Sequence, residues 1–345
     1  MKCVEVKTLE PSNPGILELN FRFKPMDPSY LRLWSSGELR DRTQTAWDLL
    51  SSCSLCPRNC RIDRLSGEKG LCRQGSKAKV ARALPHFGEE PPFSGSRGAG
   101  TVFFSGCALR CLYCQNYQIS QEGIGEELAP EELAGLFLDL QNEGCHNLDL
   151  VSPTPHLPFI FSALELAVSQ GFHLPIVYNT HGYLSETTLN LLEGIVDIYL
   201  ADMKYGDDQS ASRLSQVEDY LYYNQLAVKH MFRQVGPLKS DEQGIGFRGL
   251  LVRHLILPEK KSNSLGVIKA IASISLEIPI SLMAQYRPCF KACQVPEIRR
   301  SIHPSEYKEV VIHAEQFNFE EIYIQELESA EVYYPDFTRK DPFAG

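Results

Sequence analysis

The chain has 345 residues, a length that fits about two domains or one α/β barrel with an appendage. Apolar residues make up 43% of it and charged residues 22%, which excludes disordered and membrane-spanning classes. The formal net charge of −9 argues against a nucleic-acid partner. The first fifteen residues contain no apolar segment typical of a secretion signal, so we expect a cytoplasmic protein with no membrane partner.

The first hundred residues divide by composition. Residues 1–50 are predicted to be an extension with one short helix near 43–51 and no chemistry. Residues 51–80 are rich in Cys, Arg and Gly but poor in large apolar side chains, which predicts a small lobe, 51–90, that needs a metal to fold. The Pro- and Gly-rich residues 91–100 predict a domain boundary.

Residues 98–330 are predicted to form one α/β domain, and residues 331–345 are predicted to form a tail. Short apolar runs alternate there with helical patterns, and the runs are predicted strands: 101–105, 147–152, 175–179, 196–202, 250–257 and 279–284. Regular alternation of strands and helices indicates right-handed βαβ crossovers and a parallel sheet. Six units predict a partly closed, TIM-like barrel, with an open, doubly wound sheet as the alternative.

The strongest chemical signal is a C-x3-C-x2-C motif directly after the first of these strands. Cys107, Cys111 and Cys114 place three thiolates on one tight loop, where they can bind three irons of a 4Fe-4S cubane and leave the fourth iron open. An open iron indicates chemistry rather than electron storage. The alternative is a zinc site that a distant residue completes.

This motif, with Tyr113 before its last cysteine, resembles the signature of the radical S-adenosylmethionine (SAM) superfamily. Within it the chain resembles the branch of pyruvate formate-lyase activating enzymes, from about residue 51 to about residue 325. The resemblance rests on five segments: Cys53–Cys72, the three-cysteine motif, Tyr178–Tyr183, Asp202-Met203-Lys204 and Met283-Ala284-Gln285-Tyr286-Arg287-Pro288.

The resemblance implies a 4Fe-4S cluster and SAM as cofactors, within a partial (β/α)6 barrel. It implies that SAM is cleaved reductively to a 5′-deoxyadenosyl radical, which abstracts hydrogen from a substrate. A reductant such as flavodoxin or ferredoxin would then be a partner.

Polar residues at the ends of the predicted strands are candidates to bind SAM. Asp202 and Lys204 follow an apolar strand and suit the ammonium and carboxylate of the methionyl group. Arg253 lies within an apolar run and needs a carboxylate partner, whether in a binding site or in a structural Arg–Asp pair. The other candidates are Tyr113, Thr154, Asn179, Thr180 and Gln285.

One segment departs from the family pattern. Many members carry a Gly-Gly-Glu-like motif after the second strand, whereas this chain has Ser152-Pro153-Thr154-Pro155-His156. Without a carboxylate there, backbone carbonyls near 151–154 and the Thr154 hydroxyl are expected to replace it.

Cys53, Cys56, Cys60 and Cys72 form a second group, and four thiolates make a closed site. Zinc would be structural there, an iron–sulfur cluster would transfer electrons, and zinc is the preferred interpretation. Seven basic and two acidic residues lie between 51 and 80. We interpret this excess as compensation for the thiolates; docking of an acidic electron donor or a nucleic acid is the alternative.

The leading functional interpretation is an enzyme that abstracts hydrogen from a macromolecular, possibly protein, substrate, in the manner of a glycyl-radical activase. The alternatives are radical modification of a small metabolite or peptide, and a non-enzymatic iron–sulfur carrier or metal-dependent binding module. Cys289 and Cys293 are interpreted as ordinary thiols rather than groups at the substrate opening. No catalytic residue toward the substrate is assigned.

Overall fold

The structure is a computed structural model and describes residues 26–327 and 334–343. Its strands are β1 (Ala78–His86), β2 (Ala99–Phe104), β3 (Glu126–Leu128), β4 (Leu148–Val151), β5 (Ile176–Thr180), β6 (Ile198–Asp202), β7 (Lys239–Ser240), β8 (Gly246–Leu255), β9 (Ile280–Met283) and β10 (Ile322–Ile324). Its helices are α1 (Tyr30–Ser36), α2 (Glu38–Asp48), α3 (Pro91–Ser94), α4 (Tyr117–Ser120), α5 (Pro130–Asn142), α6 (Leu157–Ser169), α7 (Glu186–Leu192), α8 (Asp208–Ser215), α9 (Tyr220–Val235), α10 (Ser264–Ile274) and α11 (Pro304–Glu315).

The six predicted strands are confirmed as a parallel set, β2, β4, β5, β6, β8 and β9. They are neighbours in the order of the sequence, with no reversal. A doubly wound sheet reverses its order at a switch point, so this order excludes that alternative and confirms the partial TIM-like barrel. The sheet does not close. Antiparallel β1 pairs with β2 and carries β3, while β10 extends the other edge beside β9.

Alternation along each strand divides the two faces of the sheet. Residues such as Leu150, Tyr178 and Leu250 face the helices and join them in one large apolar cluster. The opposite, inner face carries apolar residues near the starts of the strands and polar ones, Asn179 and Arg253 among them, nearer their ends. Polar groups of different strands therefore share one interior.

The predicted linker is packed against the sheet. Its Phe93 is fully buried on the inner face with Val177, Leu200 and Leu251, and the Asn147 side chain donates to the Phe93 carbonyl at 2.9 Å. Strand β1, which precedes the linker, belongs to the same sheet as the barrel strands. In the described residues, the linker therefore packs inside the barrel and does not separate two lobes.

Both chain ends that the structure describes also pack on the barrel. Helices α1 and α2 lie against α6, and the Tyr30 hydroxyl donates to the Leu174 carbonyl at 2.8 Å. The segment 334–343 covers β1 and β2, where Phe337 is buried against Phe103. Residues 1–25 of the predicted extension, and 328–333 and 344–345 of the predicted domain end and tail, lie outside the described residues. No described helix combines the length and apolar character needed to cross a membrane.

The buried position of Phe93 predicts a large energetic effect. Phe93→Ala is expected to lower the free energy of unfolding by about 3–5 kcal/mol, because it leaves a cavity under the inner face. Chemical denaturation of the anaerobic protein measures this. Phe87→Ala, at a side chain that is 61% exposed, is the control and should change the free energy by less than about 0.5 kcal/mol. Equal effects of the two substitutions on the free energy of unfolding would contradict the packing of Phe93 inside the barrel.

Candidate active site

The carboxyl ends of the parallel strands surround a cavity of about 690 Å³. The three-cysteine loop, residues 106–114, begins directly after β2, and Cys107, Cys111 and Cys114 all line the cavity. In the part of the chain that the structure describes, no other cysteine lines it. Sites in barrels of this kind lie at the same ends of the strands.

Each of the three sulfur atoms has a hydrogen-bonding neighbour. The Leu109 amide donates to Cys107 Sγ at 3.4 Å, and the Ser215 hydroxyl donates to Cys111 Sγ at 2.9 Å. Ser120 Oγ lies 3.2 Å from Cys114 Sγ. Hydrogen bonds to ligating sulfur atoms help to set the potential of an iron–sulfur cluster. Sequence reasoning missed both serines, which lie on elements without any visible motif.

Tyr113 belongs to a buried chain of hydrogen bonds that ends at Cys111. Its hydroxyl donates to that of Tyr205 at 2.8 Å, and Tyr205 Oη lies 2.5 Å from Ser215 Oγ, the donor to Cys111. Burial raises the pKa of the Cys111 thiol, and it raises that of Cys114 to about 11 with a further contribution from Cys111. These thiols therefore ionise when a metal replaces their protons.

The donor set fits an iron–sulfur cluster with an open iron. The three sulfur atoms, of buried Cys107 and Cys111 and of half-buried Cys114, face a cavity that continues beyond them, which leaves space for a ligand on a fourth iron. No group of three His, Cys, Asp or Glu side chains in the described ranges is arranged to hold a single metal ion.

Asp202 and Lys204 stand together on the cavity wall, as their positions in the sequence predicted. Lys204 Nζ lies 2.5 Å from Asp202 Oδ2. Burial opposes the charged amine, but attraction by Asp202 and Cys111 outweighs it and raises the pKa of Lys204. The Tyr220 hydroxyl accepts from the Lys204 amide at 3.0 Å and fixes the backbone here.

Asn179 and Thr180 line the same cavity at the end of β5. Asn179 Nδ2 lies 3.5 Å from Asp149 Oδ2, and the Thr180 hydroxyl accepts from the Gly182 amide at 3.2 Å. His181, which the sequence analysis did not select, also lines the cavity. Burial lowers its pKa to about 4, so the imidazole is neutral at pH 7.

Gln285 belongs to a row of three side-chain amides on the cavity wall. Gln325 Nε2 donates to Gln285 Oε1 at 3.2 Å, and Gln115 Nε2 donates to the Gln285 carbonyl at 3.1 Å. Gln115 directly follows Cys114. The row therefore ties the cysteine loop to the opposite edge of the sheet, through contacts that no local pattern predicts.

Arg253 has carboxylate partners, but they are glutamates from the segment between β1 and the predicted linker. Glu90 accepts from Arg253 Nε at 2.8 Å and from its Nη2, and Glu89 also pairs with Nη2. Although burial opposes ionisation, Arg253 and His86 hold the pKa of Glu89 below its ordinary value. Burial, followed by the charge of Glu89, raises the pKa of Asp149 well above its usual range. Arg253 thus forms ion pairs with two glutamates inside the barrel.

The structure places Thr154 outside the large cavity. Its hydroxyl lies 2.9 Å from the Tyr178 hydroxyl, and it lines a small pocket with the four N-terminal cysteines. His156 donates from Nε2 to the Ser105 carbonyl at 2.7 Å and so fixes the start of the cysteine loop. Val151 and Ser152 do line the cavity, and Ser152 has a φ of 58°. The segment that departs from the family pattern thus anchors the loop through His156.

Cys53, Cys56, Cys60 and Cys72 come together around that small pocket. Cys53 is buried and Cys60 is exposed. Burial, above all other contributions, raises the pKa of Cys56 to about 12. Of the remaining cysteines, Cys289 is buried and its thiol contacts the Tyr113 carbonyl at 3.4 Å, whereas Cys293 is exposed.

Comparison with known proteins agrees with this arrangement. Residues 101–234, which include the three-cysteine loop, match the Radical SAM superfamily. The chain is 29% identical to an uncharacterized protein of Methanocaldococcus jannaschii over 93% of this chain and 94% of that protein. It is 32% identical to the pyruvate formate-lyase-activating enzyme of Clostridium pasteurianum, over 31% of this chain and 46% of that enzyme.

Among solved structures, Streptococcus suis SuiB bound to S-adenosylmethionine matches this chain with a TM-score of 0.42 and 11% identity. The match covers 66% of this chain and 47% of SuiB, so this chain spans about half the length of SuiB. A radical SAM domain implies a 4Fe-4S cluster, SAM and an external reductant. The family match at residues 101–234 therefore supports the class of enzymes that cleave SAM reductively.

The hydrogen bond from Ser215 predicts a redox effect. Ser215→Ala is expected to lower the midpoint potential of the cluster on the three-cysteine loop by on the order of 60 mV, because it removes a donor that stabilises the more negative, reduced state. A redox titration followed by electron paramagnetic resonance (EPR) measures this. Ser212→Ala, at an exposed position of the same helix, is the control. A potential unchanged in both variants would contradict the role of Ser215.

Proposed function

We propose that this chain is a radical SAM enzyme that abstracts hydrogen from a protein substrate, in the manner of a glycyl-radical activase. The observation that carries the radical chemistry is the set of three thiols that line one cavity together with Asp202 and Lys204. Two observations support a protein substrate. One is the similarity to an activating enzyme. The other is Ile324, which lines the cavity although it is 62% exposed, so that a segment of another chain can enter from the surface there.

The residues of the chain have separate tasks in this proposal. Cys107, Cys111 and Cys114 hold the cluster, and Asp202 and Lys204 orient the ammonium and carboxylate of SAM. Asn179, Thr180, Tyr113 and Gln285 complete the wall around the cofactor. With both cofactors bound, the site would supply the radical chemistry by which a hydrogen atom is taken from the substrate.

A small metabolite or peptide is the second candidate substrate. The cavity of about 690 Å³ lies within the range of roughly 300–1,000 Å³ that small-molecule sites occupy. SAM would fill part of this volume, so the remaining space suits a small group or a single side chain. Transfer of deuterium from labelled candidates into 5′-deoxyadenosine separates the two classes of substrate. A glycyl-radical EPR signal on an added protein would support the activase.

The cluster assignment predicts complete loss of activity. In the anaerobically reconstituted protein, Ala at Cys107, Cys111 or Cys114 is expected to abolish formation of 5′-deoxyadenosine from SAM, because each thiolate holds one iron. Chromatography of dithionite-reduced reactions measures the product. Cys293→Ala, at an exposed cysteine, should retain the parental rate. A triple Ala variant that forms 5′-deoxyadenosine at the native rate would show that the assignment is wrong.

The charged pair predicts a loss of affinity rather than of stability. Lys204→Met and Asp202→Asn are expected to weaken SAM binding by about 10- to 150-fold, equivalent to about 1.5–3 kcal/mol, because each loses a charge-assisted contact. Equilibrium binding and thermal unfolding are measured with the cluster intact. The control is Lys269→Met at an exposed position of α10. Normal affinity together with a large loss of stability would assign the pair to the fold instead.

A further inference from the structure

The four-cysteine group (Cys53, Cys56, Cys60 and Cys72) lies directly against the three-cysteine loop. Arg58 Nε, from the first segment, donates to the Ala108 carbonyl at 3.0 Å. Arg110 Nη2, from the second, donates to the Leu71 carbonyl at 2.6 Å. Ala108, the neighbour of Cys107, itself lines the pocket of the four cysteines. Two reciprocal arginine contacts therefore join the two groups.

The backbones of the two segments also touch. A Cβ on Gly106 would lie 2.5 Å from the carbonyl oxygen of Cys72, so this position has no space for a side chain. Gly106 precedes Cys107, and Cys72 belongs to the other group. A candidate ligand of one site is thus in van der Waals contact with the residue next to a ligand of the other.

The segment that carries the four cysteines has an unusual backbone. Asn59, Arg61 and Arg73 have positive φ angles of 43°, 55° and 61°, and they flank Cys60 and Cys72. Residues other than glycine adopt this conformation where the surroundings over-determine it, and such strain concentrates at functional sites. A group bound by all four sulfur atoms would supply that constraint.

The same segment reaches the surface. Cys60 is exposed, and the nearby Leu65 and Leu71 are 47% and 37% exposed. In the same segment Arg61, Lys69 and Arg73 are exposed, against one exposed acid, Glu68. An exposed segment that combines apolar and basic side chains suits an acidic protein partner, because opposite charges accelerate its approach.

We propose that the four-cysteine group holds an iron–sulfur cluster through which the electron enters the enzyme. The partner is an acidic one-electron donor protein of the flavodoxin type, which docks on the surface around Cys60. This inference rests on the proposed SAM cleavage and adds the route by which its electron arrives. It replaces the structural zinc that sequence reasoning preferred.

The redox step balances as a single-electron transfer. The reduced donor loses one electron to the cluster on the four cysteines, which passes it across the Cys72–Gly106 contact to the cluster on the three-cysteine loop. This electron reduces SAM, whose sulfur–carbon bond then breaks to give methionine and the 5′-deoxyadenosyl radical. No proton is transferred.

The identity of the metal is tested on the reconstituted triple variant in which Cys107, Cys111 and Cys114 are Ala. We expect it to retain iron and sulfide and to give an EPR signal on reduction. Further replacement of Cys56 and Cys72 by Ala should remove both. Zinc without iron in the triple variant, or no metal at all, would overturn the proposal.

The route is tested by comparing two reductants on the otherwise intact holoenzyme. Arg61→Gln combined with Lys69→Gln is expected to slow 5′-deoxyadenosine formation with reduced flavodoxin by about tenfold or more at low salt. With excess dithionite, a small reductant, the rate should equal that of the parent. The matched control is Arg299→Gln with Lys308→Gln, two exposed basic residues elsewhere.

A third enzyme, Cys56→Ala with Cys72→Ala, should lose flavodoxin-driven cleavage and retain the dithionite-driven reaction. The electron route would be overturned if 5′-deoxyadenosine formed with flavodoxin at equal rates in this enzyme, in the Arg61→Gln/Lys69→Gln variant and in the parent. Absence of cleavage in the parent under dithionite would instead contradict the proposed function itself. The two failures are therefore distinguishable.

Discussion

The site depends on one constraint, the common direction of six neighbouring parallel strands. Because their carboxyl ends meet at one edge of the sheet, residues far apart in the chain share one cavity. Cys107 and Gln285 both line it, and so do Asn179, Asp202 and Arg253 from three strands between them. The cysteine motif by itself is only a loop. The parallel sheet places polar side chains from other strands beside it.

The interior of the barrel is stabilised by the segment between β1 and β2. Phe93 fills the apolar layer, and Glu89 and Glu90 neutralise Arg253 in the polar layer above it. A buried guanidinium without acids would be costly, so this segment both fills the interior of the barrel and neutralises its buried charge. Together with the contacts between the cysteine groups, it makes residues 51–100 an integral part of the domain.

Much of the architecture was predictable because its signals are local. Apolar runs alternating with helical patterns identified all six parallel strands, and spacing alone selected the three cysteines as candidate cluster ligands. Partners brought by tertiary packing were not predictable: Ser120, Ser215, Glu89 and Glu90 lie in segments with no motif. The linker was misjudged because Pro and Gly indicate a break in the chain path, while the burial of Phe93 depends on the barrel around it. Thr154 was selected by its place after a strand, yet its side chain turns toward Tyr178.

The central claim is that three thiols hold a cluster whose fourth iron is open to SAM beside Asp202 and Lys204. The most direct measurement is electron–nuclear double resonance of the reduced holoenzyme with SAM labelled by ¹⁵N in the amino group and ¹⁷O in the carboxylate. The account predicts that SAM changes the EPR spectrum of the cluster and that both labels couple to its spin. An unchanged spectrum without either coupling, in protein that binds SAM, would contradict it.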